Sequence, residues 1–173
     1  EIVHESMFRG ADNGFVISDK RFAGSDTLAT SYALSLAVKK LGNVDLVFSG
    51  RQAIDGDTAQ VGPQVAEKLD IPQITYAEKL VSMTENEIVV KRRLDRGVEV
   101  VKSSFPALIT VHGNANDCRP RHAKRVIMNK KVQVEEWTAD DINPEFERLG
   151  MSGSPTKVKS IENVVLTSKE NKI

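Results

Sequence analysis

The chain has 173 residues, of which 40% are hydrophobic and 28% are charged, and this predicts one globular domain with its own core. Lys plus Arg and Asp plus Glu are equal at 24 each, so no net charge draws the chain to nucleic acid. No apolar run approaches the roughly 18 residues of a membrane span. The single cysteine, Cys118, excludes an internal disulfide. We therefore expect a soluble protein of a reducing compartment.

The first residues predict the end of a helix. Residues 1–9 (EIVHESMFR) carry apolar side chains at positions 2, 3, 7 and 8, and Gly10 follows. Without an initiator Met or a preceding element, this pattern indicates that the N-terminal part of a longer protein is absent.

Strands and helices then alternate. Residues 14–18 and 45–49 are short, apolar runs of the kind found in buried parallel strands. Between them, apolar positions at helical spacing predict a helix over 28–41, with Ser25 and Asp26 as capping residues and Gly42 as the stop. A further helix is predicted at 65–69. Strands joined by helices must be parallel, which predicts an open, mainly parallel α/β sheet.

The second half predicts an antiparallel excursion from that sheet. Residues 73–81, 87–93 and 98–103 predict three strands joined by turns, and 105–111 predicts a return to the core. Residues 132–137 predict one more strand, and Thr138 with Asp140 and Asp141 predicts a helix start. We expect an α/β domain over 1–142 and an extended C-terminal arm over 143–173 that packs on a partner subunit.

The segment between the second strand and the next helix carries the clearest chemical signal. It reads AIDGDTAQVGP from Ala53 to Pro63. Gly56 predicts a tight turn, and Asp57 and Thr58 predict the opening of a helix whose free N–H groups favour phosphate. The alternative is a plain turn with capping residues and no ligand. The segment is neither a P-loop nor a Gly-x-Gly-x-x-Gly fingerprint.

A basic stretch follows the predicted core strand, and its cations are Arg119, Arg121, Lys124, Arg125, Lys130 and Lys131. A solvated helix face is the plain interpretation of such a run. Single-stranded nucleic acid is disfavoured because no aromatic residues interleave with the cations. The three histidines lack metal-ligand spacing, so we expect no metal site.

Four blocks of the sequence resemble electron-transfer flavoprotein β subunits. They are GADNGFVISDKRFAGSDTLATSYALSLAV, GRQAIDGDTAQVGPQVAEKL, RRLDRGVEVVKSSFPALITV and RPRHAKRVIMNKKVQVEEW, and with them the resemblance covers nearly all of residues 10–158. It implies an adenine nucleotide α-hydrolase-like fold, an α-subunit partner that carries FAD, and a partner dehydrogenase of the acyl-CoA type. The form DGDTAQVGP is closest to the electron-bifurcating group, which implies FAD in place of AMP and NADH as the electron donor.

The resemblance also implies roles for individual residues. The cofactor-binding residues would be Ala53, Asp55, Gly56, Asp57, Thr58, Ala59, Gln60, Val61 and Gly62. Glu99 would lie at the interface near the α-subunit flavin, although a solvated strand residue is the plain alternative. Arg119, Arg121, Lys124, Arg125 and Lys130 would dock the dehydrogenase. No catalytic residue is predicted in this chain. By itself the chain would be an electron carrier, and it would belong to an enzyme only as part of a complex.

Two other functions stay open at this stage. One is a stand-alone adenine-nucleotide-binding module of the same fold with no role in electron transfer. The other is a purely structural subunit with an emptied pocket. The expected location is the cytoplasm of a bacterium or archaeon, with the mitochondrial matrix as the alternative.

Overall fold

The computed structural model describes residues 1–157, so residues 158–173 of the predicted arm lie outside the described residues. The helices are α1 (Ile2–Phe8), α2 (Thr27–Leu41), α3 (Val61–Leu69) and α4 (Ala123–Asn129). The strands are β1 (Phe15–Ile17), β2 (Leu46–Gly50), β3 (Gln73–Met83), β4 (Glu87–Leu94), β5 (Gly97–Ser104), β6 (Ala107–Val111) and β7 (Glu135–Trp137). Short 3-10 helices span Lys20–Phe22, Asp140–Ile142 and Phe146–Arg148. Within residues 1–157, no helix has the length and apolar character that crossing a membrane requires.

The larger sheet has five strands in the order β2-β6-β3-β4-β5. β6 pairs in parallel with β2 on one side and with β3 on the other. β3, β4 and β5 then pair antiparallel. The α/β class with an antiparallel excursion is thus confirmed, and the meander widens the parallel sheet instead of forming a domain of its own.

The remaining strands form a second sheet. β1 and β7 pair in parallel with each other, so the described residues make two sheets where the sequence predicted one. An apolar cavity of about 380 Å³ is lined by side chains of both β1 and β2, among them Phe15 and Val47. The two strand edges therefore do not pair with each other within residues 1–157.

Each long helix covers one part of the core. In α2, Tyr32 and Ala37 pack with Trp137 of β7. In α3, Val65 and Ala66 pack on the fully buried Leu108 of β6. α2 begins with a good cap, since the Asp26 side chain accepts hydrogen bonds from the backbone at the helix start, and it ends at Gly42 as predicted. These contacts bring the starts of α2 and α3 together beside the end of β2.

The last predicted elements are shorter than expected. The strand predicted over 132–137 is limited to β7, and the predicted helix start is a single 3-10 turn, Asp140–Ile142. Thr138 accounts for the sequence signal there, because its N–H and its hydroxyl both donate to Asp141 Oδ2 at 2.7 Å. The capping chemistry is present without a helix to follow it.

Residues 143–157 pack on this chain's own domain. Leu149 is 3% exposed and belongs to the same cluster as Tyr32, whose hydroxyl accepts a hydrogen bond from the Glu145 N–H at 2.9 Å. Ser154 is buried and accepts from the Asp26 N–H at 2.8 Å. Residues 143–157 therefore complete part of the domain's own core, whereas the packing of the predicted arm, residues 143–173, on a partner subunit stays a prediction.

Candidate functional site

The nine residues predicted to bind a cofactor line one cavity of about 570 Å³. They are Ala53, Asp55, Gly56, Asp57, Thr58, Ala59, Gln60, Val61 and Gly62. The rest of the lining comes from the start of α2 and the end of β2, namely Ser25, Asp26, Thr27, Thr30, Ser49, Gly50, Arg51 and Gln52. Ligands of parallel α/β sheets bind beyond the carboxyl ends of the strands, and this cavity lies at the carboxyl end of β2.

The loop that forms the cavity is held in a strained conformation. Asp57 and Ala59 have φ values of 51° and 52°, in the left-handed region that non-glycine residues seldom adopt. The Asp57 N–H donates to the Ala53 carbonyl at 3.2 Å, and its carboxylate accepts a hydrogen bond from the Gln52 side chain. Backbone strain of this kind concentrates at binding and catalytic sites.

The tight turn of this loop does not form at the residue that the sequence indicated. Gly56 was expected to supply the tight turn, but it does not have a positive φ, and a Cβ there would meet no other atom of residues 1–157 within 4 Å. Asp57 was expected to open the helix, but α3 begins at Val61. The turn is made instead by two residues whose side chains tolerate the left-handed region less readily than glycine does.

The start of α3 offers backbone donors to the cavity. Within residues 1–157 no side chain caps this helix, and the N–H groups of its first two residues have no intrahelical partner. Pro63 supplies no donor, which leaves the N–H groups of Val61 and Gly62 at the cavity wall. The start of α2 differs, because Asp26 accepts hydrogen bonds from Leu28 and Ala29 at 2.9 and 3.1 Å. An anion in the cavity would therefore meet free N–H groups at α3.

Gly62 seats the start of α3 directly on the sheet. A Cβ at this position would lie 2.7 Å from both Ser49 Oγ on β2 and Thr110 Cγ2 on β6. Ser49 Oγ is itself buried and has no hydrogen-bond partner among residues 1–157. Because buried hydroxyl groups are seldom left unpaired, this group indicates a contact that residues 1–157 do not supply.

The cavity contains groups that can bind ribose hydroxyls as well as groups that can bind a phosphate. Among residues 1–157, the lining includes three carboxylates, Asp26, Asp55 and Asp57, and one guanidinium group, Arg51, which forms no ion pair with them. Carboxylates accept hydrogen bonds from ribose hydroxyls, whereas phosphates bind at a helix start through backbone N–H groups. The donor set thus suits a nucleotide better than a bare polyanion.

Asp26 links this cavity to the C-terminal segment. Burial acts to raise the pKa of its carboxyl, but hydrogen bonds from the backbone of Ala29, Thr156 and Leu28 outweigh burial and hold the pKa below its usual value. The carboxylate therefore stays ionised at neutral pH while it caps α2 and holds residue 156. Nearby, the Thr27 hydroxyl donates to Gln60 Oε1 at 3.0 Å and joins α2 to the loop.

Glu99 does not reach the cavity. It lies on β5 opposite Arg92 of β4, and its carboxylate accepts from Arg92 Nη2 at 2.7 Å and Nε at 3.0 Å. The carboxylate is half exposed. The structure therefore gives Glu99 a cation within its own chain, and its place near an α-subunit flavin stays a prediction.

The basic stretch forms a smaller positive surface than the sequence suggests. Arg121 is paired with Glu5 of α1 at 2.6 Å, and Arg125 is paired with Asp12 at 3.0 Å. Arg119 packs over Gly10, whose Cβ would lie 2.9 Å from Arg119 Nη1. These three arginines hold α4 and its preceding loop against the start of the chain.

Three lysines and two apolar side chains remain outward on α4 and just after it. Lys124, Lys130 and Lys131 are exposed and have no ion pair within residues 1–157. Ile127 and Met128 are 80% and 63% exposed, which is unusual for such side chains on a seven-residue helix. The sequence analysis did not identify Ile127 and Met128, although the apolar run VIM at residues 126–128, between basic residues, indicates exposed apolar side chains.

Residues 1–142 match the sequence profile described as the electron transfer flavoprotein domain. The chain belongs to the electron transfer flavoprotein family. It is 44% identical over 155 residues to the electron transfer flavoprotein subunit beta of Clostridium acetobutylicum, and 46% identical over 158 residues to that of Thermoanaerobacterium thermosaccharolyticum. It is also 39% identical over 158 residues to the caffeyl-CoA reductase-Etf complex subunit CarD of Acetobacterium woodii.

These alignments cover most of this electron transfer flavoprotein chain but only part of its relatives. They include 90%, 90% and 91% of this chain and 59%, 60% and 60% of the three relatives. The chain thus spans about three fifths of the length of the curated relatives that it matches. The family resemblance inferred from the four sequence blocks is confirmed.

Proposed function

We propose that this chain is the nucleotide-binding part of an electron-transfer flavoprotein β subunit, with an adenine nucleotide held in the cavity of the Ala53–Gly62 loop. The observation that carries the proposal is the convergence of the nine predicted residues of this loop at the start of α3, which no side chain of residues 1–157 caps. In a member of this family, such a cavity is suited to a nucleotide phosphate. The whole complex would carry electrons between a dehydrogenase and an acceptor.

The residues present fit that ligand. The N–H groups of Val61 and Gly62 would hold the phosphates, and the Ser49 hydroxyl would gain the hydrogen bond that it lacks within residues 1–157. Thr58 adds a hydroxyl to the same wall, and Asp55 offers a carboxylate for a ribose hydroxyl. The contribution of this chain is binding and orientation.

We propose FAD as the nucleotide, with AMP as the alternative. Two observations support FAD: the loop form DGDTAQVGP, and the 39% identity to CarD, a subunit that belongs by name to a caffeyl-CoA reductase-Etf complex. A bound flavin would supply the one- and two-electron chemistry, with NADH as the donor in a bifurcating reaction. The partners would be an α subunit and a dehydrogenase of the acyl-CoA type.

We also propose a bacterial cytoplasmic location. The single cysteine fits a reducing compartment, and the three relatives come from bacteria.

The test is a double variant, Asp57→Ala with Thr58→Ala, in the full-length protein purified with its α subunit. Loss of the strained turn and of one hydroxyl should lower the flavin or AMP content at this site by about tenfold, since hydrogen bonds to charged groups contribute roughly 1.5 to 3 kcal/mol. The α-subunit flavin should stay bound. Ser103→Ala, on β5 and outside the cavity, is the matched control.

Each outcome has a distinct meaning. Loss of one nucleotide per heterodimer in the double variant alone would support the proposal. Unchanged nucleotide content would remove this loop from the site. If the unmodified complex holds no nucleotide that depends on this chain, a structural subunit with an emptied pocket becomes the better account.

A further inference from the structure

A second cavity, of about 730 Å³, lies beside the nucleotide cavity and takes no residue from the Ala53–Gly62 loop. Its lining residues are Arg51, Gln52, Tyr76, Arg93, Leu94, Asp95, Arg96 and His112. Arg51 and Gln52 line both cavities, so the two are neighbours at the end of β2. A volume of this size is in the range of small-molecule sites.

Three parallel strands contribute to this cavity. Arg51 follows the end of β2, His112 follows the end of β6, and Tyr76 lies in β3, which is the next strand of the sheet. Ligand sites of α/β sheets form where the carboxyl ends of parallel strands meet. The β4–β5 turn, which carries Arg96, closes the other side.

Tyr76 is held in a conformation that an aromatic residue rarely adopts. Its φ is 60°, and it lies where the pairing of β3 with β6 shifts register between Ile74 and Ala77. The buried Thr110 hydroxyl accepts a hydrogen bond from the Tyr76 N–H at 3.0 Å and stabilises this geometry. Bulges next to binding sites re-aim side chains, and a positive φ at a bulky residue marks a position under strain.

The cavity wall is rich in hydrogen-bond donors. Arg51 and Arg96 have no ion pair within residues 1–157, whereas Arg93 is held by Glu78 at 2.5 Å. Among the described residues of the lining, Asp95 is the one that is acidic. Two guanidinium groups without a carboxylate partner in the described chain leave a local excess of positive charge.

His112 adds a directed donor. Its Nδ1 accepts a hydrogen bond from the Asn114 N–H at 3.2 Å, so in the neutral ring the proton resides on Nε2. An imidazole N–H, two guanidinium groups and the Tyr76 hydroxyl together provide donors of the kind that bind oxyanions.

We propose that this cavity binds the phosphate or carboxylate group of a small molecule, at a site separate from the nucleotide held by the Ala53–Gly62 loop. Arg96 and Arg51 supply the charge, and Tyr76 and His112 orient the oxygen atoms. The concave shape and the contact with the nucleotide cavity favour a small-molecule ligand over a protein side chain.

The experiment uses the full-length protein purified with its partner subunit and titrated by calorimetry. One titration uses inorganic pyrophosphate and a second uses succinate, so that phosphate and carboxylate chemistry are separated. Arg96→Gln should weaken binding of the preferred anion by about tenfold, since it removes a charge-assisted hydrogen bond. Tyr76→Phe should weaken it by a smaller factor.

Lys102→Gln is the matched control, because Lys102 is an exposed cation of the same hairpin whose ion pair is with Glu87. Binding should be unchanged in this variant. The nucleotide content of the Arg96→Gln protein should also be unchanged, and this separates failure of the present proposal from failure of the proposed nucleotide site.

Saturable binding of either probe that depends on Arg96 would support the proposal, and the stronger probe would identify the chemistry. Absence of binding by both probes, or equal binding by the Arg96→Gln and unmodified proteins, would overturn it. A third result would also overturn the proposal: the unmodified protein binds neither anion, and the Arg96→Gln protein loses its partner subunit. In that case an acidic group of the partner subunit would occupy the cavity.

Discussion

Gly62 lies directly against Ser49, so that a Cβ on Gly62 would come within 2.7 Å of the Ser49 hydroxyl. The start of α3 can approach the ends of β2 and β6 only because this position has no side chain. We expect Gly62→Ala to push α3 away from the sheet and to destabilise the fold by about 1 to 3 kcal/mol, as overpacking does. Denaturant unfolding measures the effect.

Gly56→Ala is the control for that substitution. Position 56 lies in the same loop, but a Cβ there meets no atom of the described residues within 4 Å, and the backbone is not in the left-handed region. We expect stability within about 0.5 kcal/mol of the parent, as for surface changes away from special features. Equal destabilisation by the two substitutions would contradict the close seating of α3.

The C-terminal segment should contribute to stability through Leu149. This side chain is 3% exposed and packs in the cluster of Tyr32 and Trp137. Leu149→Ala should destabilise the protein by about 2 to 4 kcal/mol, the usual cost of emptying a buried leucine site. Met151→Ala, at a position that is 62% exposed, should change little. Equal thermal midpoints for the two variants would show that the segment does not complete this core.

Stability should depend on pH through Asp19. Hydrogen bonds from the Arg21 side chain hold the pKa of Asp19 well below its usual range, and they lower the pKa of Asp140 as well. A carboxyl with a lowered pKa in the folded state stabilises the fold above its unfolded pKa, which is about 4, and this contribution is lost as the pH falls further. The thermal midpoint should therefore fall on acidification below about pH 4.

Asp19→Asn tests this dependence. The variant should melt several degrees below the parent at pH 7, and the difference should narrow as the pH falls below about 4, because Asp19 of the unfolded parent then takes up a proton that the folded state does not bind. Asp45→Asn, an exposed carboxylate outside the Arg21 network, should follow the parent curve. A constant difference between Asp19→Asn and the parent from pH 7 to pH 3 would contradict the assignment.

The cations around α4 should separate into two groups. Lys124 and Lys130 have no ion pair in the described chain, so Lys124→Glu with Lys130→Glu should slow electron transfer to a partner dehydrogenase at low salt while the thermal midpoint stays the same. Arg121→Gln should instead lower the thermal midpoint, because Arg121 is paired with Glu5 of α1. If the double lysine variant keeps the parent rate at low salt, these lysines do not dock the partner.

Much of this fold was predictable because local chemistry and tertiary structure agree. Asp26 and Gly42 bound α2 as their cap preferences require, and the apolar runs became strands. Leu149 could not be placed from the sequence, because a segment without periodicity gives no sign that it will cover a neighbouring helix. Its burial depends on the hydrogen bonds that tie the segment to Tyr32 and Asp26.

The sequence predicted which residues form the candidate site better than it predicted their backbone conformation. The loop composition pointed to anion binding, but the left-handed backbone at Asp57 and Ala59 has no sequence signal, since glycine at 56 was the obvious candidate. The unpartnered Ser49 hydroxyl likewise depends on the close approach of Gly62. The register shift between β3 and β6 sets the backbone conformation of Tyr76, and the register of two strands cannot be predicted from one amino-acid sequence.

The most direct test of the central claim is a count of nucleotides released by acid from the full-length protein purified with its α subunit. We expect two FAD molecules per heterodimer, one of which is lost in the Asp57→Ala, Thr58→Ala variant. One FAD with one AMP would keep the nucleotide site and remove the bifurcating assignment. A single FAD with no AMP, unchanged in the double variant, would contradict nucleotide binding by this chain.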